Sequence, residues 1–418
     1  MRTVGIIAEY NPLHTGHEYH LKKAKELAGA AYAVVVMSPD YVQRGEPAIF
    51  DKYTRTRMAL YAGADLVLEL PVCYASGSAE YFAQGAVALL EKLGVVDALC
   101  FGAETGDAAL FCETAKLLHQ EPAPYRQKLK ELLAEGQTYP QARSKALLWY
   151  LDSQKTARTS SCSQTTAEFL AAPNNILGIE YCKALIALKS RMRPLPLPRM
   201  GNSFGSTALD GLFCSATAIR NGMLTGSSRQ RLLHYTPDAC RELFLSAAET
   251  PVTSEELLPF LVQKFLSHCT FSDIQDISPD LSDRICRLRY SCVGKTYEEI
   301  VTLLKTKQIT ESHIRRALLH LVLGISSDSV KAFRENGTVF YARVLGLRKD
   351  SSPLLRKIRE NTGLPLLTKT AGAAEAMAQP ALQMWQQDLY AAHLYRSAAS
   401  LRYKLPFQTE YEHSPIVI

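Results

Sequence analysis

The chain has 418 residues, 47% of them hydrophobic and 21% charged, and a net charge of +6. It is too long for one ordinary core, so two or three domains are expected. No apolar run approaches the roughly 20 residues of a membrane span, which excludes a helical membrane protein and leaves a soluble globular one.

Met1-Arg2-Thr3 leads straight into an apolar run, Val4–Ala8, with no signal-peptide pattern, so a cytoplasmic location is expected. The ten cysteines form no CxxC pair; they read as small buried thiols in a reducing compartment, and no metal site is expected. The first strand ends at Asn11-Pro12, a turn former. His14-x-Gly16-His17 then opens a segment of helical spacing carried by Leu21, Ala24, Leu27 and Ala28. A buried strand thus delivers two imidazoles and a glycine to the first turn of a helix. Helix N-termini expose unpaired N–H groups and a partial positive charge, so this turn is a candidate phosphate site. Gly16 would let a base or ribose approach the backbone. His14 and His17 would donate hydrogen bonds to phosphate oxygens that gain charge as pyrophosphate leaves, which makes them the candidate catalytic pair. The plainer alternative is a turn-capping His14 and a solvated His17.

Further strands are expected at Ala33–Met37, Leu66–Leu70 and Ala98–Phe101, with helices near 17–28, 52–62 and 78–93. Continuous apolar strands alternating with helices imply a parallel sheet covered on both faces. In such sheets ligands bind beyond the carboxyl ends of the strands, where Glu9 to His17, Ser38 to Gly45 and Gly102 to Thr105 lie. Arg44, Asp51, Lys52, Arg55 and Arg57 crowd the stretch after the second strand, where polar side chains would face the crevice or the solvent. Tyr41 and Tyr53 would stack on a base or pack beneath the loop. Glu69, near the end of the third strand, would orient a basic partner or lie in water. Residues 107–190 read as mostly helical, with a polar loop near 156–166 that holds Cys162. Asn174-Asn175 precedes an apolar helical pattern and makes a helix cap. Arg193–Pro198 reads as a late edge strand. Ser215-x-Thr217-x-x-Arg220 then starts a helix whose hydroxyls and planar cation suit phosphate.

A boundary is expected after residue 225, with residues 1–225 forming the nucleotide-binding domain and residues 226–418 a mostly helical, basic one. Residues 281–370 hold 17 Lys/Arg against 8 Asp/Glu, which leaves the rest of the chain at net −3. Tyr290 and Tyr341 lie among these charges, so an acidic polymer is the expected partner. Arg315 and Arg316 begin a helix. Arg343 lies in an expected strand, Val339–Val344, with Arg348 and Lys349 just after it. A helix over 351–361 and a strand over Leu364–Thr368 follow.

The HxGH turn and the S-x-T-x-x-R element together resemble the nucleotidylyltransferase superfamily. Ordered blocks along nearly the whole chain, among them GIIAEYNPLHTGH, GADLVLELP, PNNILGIEYCKAL, SATAIR and YARVLGLRKD, resemble the bacterial tRNA(Met) cytidine acetate ligases. The resemblance implies an α/β, Rossmann-like catalytic domain with a helical RNA-binding half. It implies ATP as co-substrate, with Mg2+, and acetate and elongator methionine tRNA as partners. Acetate would be activated as acetyl-adenylate and its acetyl group passed to the exocyclic amine of the wobble cytidine. It also implies an ATP site made of Ile7, Ala8, Glu9, Tyr10, Asn11, Pro12, Leu13, His14, Thr15, Gly16, His17, Glu18, Tyr19 and His20, joined by Gly102, Asn174, Asn175, Arg199, Ser215, Thr217 and Arg220. Arg315, Arg316, Arg343, Arg348 and Lys349 would belong to the RNA-binding half. Two alternatives stand beside this reading: the same fold acting on a small molecule or a protein, and a non-catalytic RNA-binding module.

Overall fold

The computed structural model describes residues 2–154, 168–170, 172–199 and 213–418; the loop expected near 156–166, with Cys162, lies outside them. The strands are β1 (Thr3–Ala8), β2 (Tyr32–Met37), β3 (Tyr41–Val42), β4 (Glu46–Pro47), β5 (Leu66–Glu69), β6 (Ala98–Ala103), β7 (Arg193–Pro198), β8 (Ala342–Leu347), β9 (Leu366–Leu367) and β10 (Ile416–Val417). The main sheet runs β10-β8-β5-β2-β1-β6-β7, with β9 also on β8. From β5 to β7 every pair is parallel, and β1 and β2 stay in register from Thr3 opposite Tyr32 to Ala8 opposite Met37. The chain winds outward from β1 through β2 to β5, then returns to the far side of β1 for β6. The winding therefore reverses between β1 and β6, and the crevice beyond their carboxyl ends is where such a sheet holds a ligand.

Each strand feeds two cores because successive side chains point to opposite faces. Val34, Val36, Leu66 and Leu68 join Phe82, Phe111 and Ile179 from three covering helices on one face. Ala33, Val35, Met37 and Val67 join Leu21 and Ala24 of helix α1 (Thr15–Ala28) and Met58 and Leu60 of helix α2 (Lys52–Tyr61) on the other. Each fully buried Val or Leu contributes about 1.5–3 kcal/mol relative to an exposed one, so this two-sided burial explains the unbroken apolar strands. Among the described residues no helix is long and apolar enough to cross a membrane.

The second half is mostly helical, as expected, and it also completes the sheet. β8 pairs antiparallel with β5, from Leu66 opposite Leu347 to Glu69 opposite Arg343, and β9 and β10 pair with β8. The boundary expected at 225 is therefore crossed by the sheet itself. β8 also begins later than Val339, because Lys92 Nζ takes the carbonyls of Gly337 and Val339 at 2.6 and 2.9 Å. Leu364–Thr368 contributes only the two residues of β9. The 23-residue helix Ala381–Tyr403 fastens the halves: Asp388 accepts from Val72 N at 2.7 Å and from Tyr341 Oη, and Tyr395 Oη donates to the carbonyl of Ala48 at 2.8 Å.

Where β5 meets β8 lies a buried ion cluster. Lys52 Nζ stands 2.7 Å from Glu69 and 2.8 Å from Glu410, and Arg343 stands 2.9 and 2.7 Å from the same two carboxylates. Burial and Arg343 oppose the Lys52 charge, but Glu410 and Glu69 outweigh them and raise its pKa. Arg343 is thus no RNA contact: it is buried, and its charge is spent on Glu69 and Glu410. Lys52 is likewise withdrawn from the crevice, and Glu69 does orient basic partners. Tyr41 and Tyr53 pack against Tyr395 and His413, so neither offers a face to a base.

Candidate active site

The turn after β1 is shaped by its own histidines. His14 takes an extended backbone (φ −143°) and caps α1, its Nδ1 accepting the N–H of Gly16 at 3.1 Å. The N–H of His14 in turn donates to His17 Nδ1 at 3.3 Å. This is a capping box built from two imidazoles. Because each Nδ1 accepts, each ring carries its proton on Nε2, which makes that atom a donor. The ring centroids lie 3.8 Å apart, tilted by 33°. A Cβ on Gly16 would stand 2.9–3.0 Å from the His14 ring; glycine is needed there to admit the imidazole, not a nucleotide base. Burial, then Arg199, pushes the pKa of His14 down to about 3 and that of His20 down to about 4. Burial, His14, His20 and Arg199 lower that of His17 well below its ordinary value. The turn therefore presents neutral imidazole donors at neutral pH.

The opposite wall is helix Ala216–Leu224. Ser215 caps it, with Oγ accepting from Ala218 N at 3.0 Å. One turn on, Arg220 donates to the carbonyl of Asn11 at 2.6 Å and to Thr217 Oγ1 at 3.4 Å, which ties the two phosphate candidates together across the cleft. Arg199 follows β7, its N–H bonded to the carbonyl of Ala103 at 2.9 Å. A third wall comes from the β3–β4 hairpin, which brings Gln43, Arg44 and Glu46. Its tip, Gly45, has φ +80°, and a Cβ there would lie 2.3 Å from the backbone N of Arg316. The hairpin is thus seated directly on helix Glu311–Leu323. Buried Arg55 clamps the ends of β1 and β2, donating to the carbonyls of Glu9 at 2.7 Å, Ser38 at 3.0 Å, Phe50 at 2.9 Å and Pro39.

One cleft gathers Ile7, Ala8, Glu9, Tyr10, Asn11, His14, Gly16, His17, Tyr19 and His20 with Gly102, Asn174, Arg199, Ser215, Thr217 and Arg220. Pro12, Leu13, Thr15 and Glu18 do not line it. Leu13 is fully buried in the α1 core, and Thr15 N donates to the carbonyl of Tyr235 at 2.8 Å, because the helical turn aims these residues away. Asn175 is a fastener rather than a ligand group: its Oδ1 accepts from Glu104 N at 2.9 Å and its Nδ2 donates to the carbonyl of Phe169 at 3.1 Å. Arg315 grips Glu298 through both terminal nitrogens, and Arg316 holds Asp276 at 2.9 Å, so neither extends freely into solvent. Lys349 is exposed and Arg348 partly so, the latter 3.4 Å from Asp350. Leu177 and Tyr181, inside the PNNILGIEY block but given no individual role from the sequence, line the cleft beside Asn174. Their spacing of three and seven residues from Asn174 puts all three on one helix face, and that was the available signal.

An imidazole-capped helix at the switch point of a parallel sheet, faced by a hydroxyl-and-arginine helix, defines a nucleotidyl transferase site. The family profile described as HIGH Nucleotidyl Transferase matches residues 1–408. Relatives named tRNA(Met) cytidine acetate ligase resemble the chain end to end. That of Clostridium kluyveri is 39% identical over 100% of this chain and 99% of its own, and that of a Thermoanaerobacter species is 40% identical over 95% and 96%. The crystal structure of Thermotoga maritima TmcAL bound with alpha-thio ATP superposes with a TM-score of 0.90 at 30% identity, covering all of both chains. Its apo form gives 0.91 at 31%. The chain belongs to the HIGH nucleotidyl transferases and, within them, to the tRNA(Met) cytidine acetate ligase family, so it is a ligase.

Proposed function

We propose that this ligase uses ATP to activate acetate and passes the acetyl group to the exocyclic amine of the wobble cytidine of elongator methionine tRNA, in the cytoplasm. The observation that carries the reading is the two-walled cleft, with neutral His14 and His17 donors on one side and Ser215, Thr217 and Arg220 on the other. The triphosphate lies between them, and the carboxylate of acetate attacks the α-phosphate. Charge grows on the departing pyrophosphate, where preorganised donors matter most. A free carboxylate is a poor electrophile, so the acetyl-adenylate is what makes transfer to an amine feasible. No protein nucleophile is required, because both substrates are held in one cleft. Among the described residues no group of three or more His, Cys, Asp or Glu is placed to hold a metal ion. Mg2+ would therefore arrive on the phosphates, and no step here is routed through it.

The basic surplus of residues 281–370 supports RNA as the acceptor, with Arg348 and Lys349 the two of the five candidate contacts that the fold leaves outside buried or half-buried ion pairs. Pyrophosphate release measured with ATP, acetate and total tRNA tests the reading. Release that needs acetate, with acetyl label appearing in tRNA, is expected. Label in a small molecule or a protein, or no release, would overturn it.

A further inference from the structure

The cleft is built for anions, since ATP, acetate and pyrophosphate all repel a carboxylate. Among the described residues, two carboxylates nevertheless line it, Glu9 and Glu46. Glu46 faces Arg315 at 3.5 Å, so its charge helps to seat the hairpin on helix Glu311–Leu323. Glu9 is different. It stands at the carboxyl end of β1, at the switch point, and is fixed at both ends: Oε1 accepts the N–H of Gln43 at 2.8 Å, and its carbonyl accepts Arg55. Oε2 has no hydrogen-bond partner among the described residues.

A fixed carboxylate repels phosphate and acetate except where neighbouring cations offset it, and its free oxygen remains a proton acceptor. The first half-reaction has no use for one, because acetate is already deprotonated and pyrophosphate leaves as an anion. The second half-reaction has one proton to move. We propose that Glu9 is the general base of acetyl transfer, its Oε2 taking the proton that the cytidine N4 amine loses as it attacks. The inference rests on the reading of the acceptor given above. In balance, the N4 lone pair forms the C–N bond to the acetyl carbon and the carbonyl electrons move to oxygen. The tetrahedral species then expels AMP by breaking the acyl C–O bond, and one N4 proton passes to Glu9. AMP needs no acid, since its phosphate is a stable anion.

The surroundings suit this role. Arg44 and Glu46 approach from the hairpin, Arg55 from α2, Arg220 from helix Ala216–Leu224 and Tyr181 from helix Pro173–Ala187. Burial raises the Glu9 pKa, while the Gln43 hydrogen bond and then Arg220, Arg44 and Arg55 pull it down. A carboxylate held above its ordinary value is a stronger base.

The test is Glu9→Gln, whose amide oxygen still accepts from Gln43 but which cannot take a proton. Acetate-dependent ATP–pyrophosphate exchange reads the first step, and single-turnover transfer from enzyme-bound acetyl-adenylate to tRNA reads the second. Transfer should slow ~100-fold or more beyond whatever loss the variant shows in exchange. Wild-type transfer should fall at acid pH as Glu9 protonates, and the residual rate of the variant should lack that limb. Unchanged transfer would overturn the proposal. So would an equal loss in both steps, which would assign Glu9 to ATP binding or to placing the hairpin. Either result, with wild-type transfer intact, leaves the acceptor reading standing; a wild-type enzyme that exchanges but never acetylates tRNA would overturn both.

Discussion

His17 uses its two ring nitrogens for different purposes, so two isosteric substitutions should separate them. Nδ1 accepts the His14 N–H at 3.3 Å, and Nε2–H is the donor available to phosphate. Asn at 17 puts its amide oxygen near the Nδ1 position but nothing at Nε2; Gln reaches the Nε2 position but loses the cap. A cap residue is worth about 0.5–2 kcal/mol, and a 3.3 Å bond is long, so His17→Gln should cost about 0.5–1 kcal/mol of stability. Losing one transition-state donor costs about 2.7–4 kcal/mol, so His17→Asn should slow acetate-dependent ATP–pyrophosphate exchange by ~100- to 1,000-fold. Urea midpoints read the first effect and exchange rates the second. The expected pattern is a stable, slow Asn variant and a less stable but faster Gln variant. Wild-type exchange in His17→Asn, or a Gln variant slower than the Asn one, would remove the Nε2 donor from the mechanism.

Lys52→Met should destabilise the protein by about 3–5 kcal/mol, because in a buried site Glu69 would keep only Arg343, and Glu410 would share that arginine with a single longer contact to Arg396 at 3.8 Å; a urea-measured loss below about 1 kcal/mol would show that the cluster tolerates an uncompensated charge. His14, His17 and His20 have folded-state pKa values below that of an unfolded histidine, so the unfolded chain takes up protons first. The stability they contribute is fully present above about pH 6.5 and is lost as pH falls toward about 4 and 3. Urea midpoints across that window should fall less steeply in His20→Gln, and an unchanged slope would contradict the burial argument. Arg348→Ala with Lys349→Ala should flatten the log–log salt dependence of tRNA affinity by about one to two units if both touch phosphate. Arg315→Ala with Arg316→Ala should instead lower the urea midpoint and leave that slope unchanged, and the reverse pattern would put the RNA on helix Glu311–Leu323.

What the sequence by itself determined was local. The strand–turn–helix around His14-x-Gly16-His17, the Ser215 cap and the alternation of apolar strands with helices all rest on contacts between residues a few positions apart. Such contacts leave their spacing in the chain. Tertiary structure decided the rest. The pairing of β5 with β8 joins Leu66 to Leu347, and no short-range pattern records such a partner, so the second half looked separable when it is part of the sheet. Charge was misread for the same reason. Arg343 has the same composition signal as an exposed arginine, and only the arrival of Glu69 and Glu410 from distant segments buries it. Asn174 and Asn175 are neighbours in sequence, yet a 100° step around the helix axis puts one on the cleft, its Nδ2 on the Glu104 carboxylate, and locks the other to the backbone of Glu104 and Phe169. Side-chain chemistry is written in the residue, but its exposure is set by what folds against it.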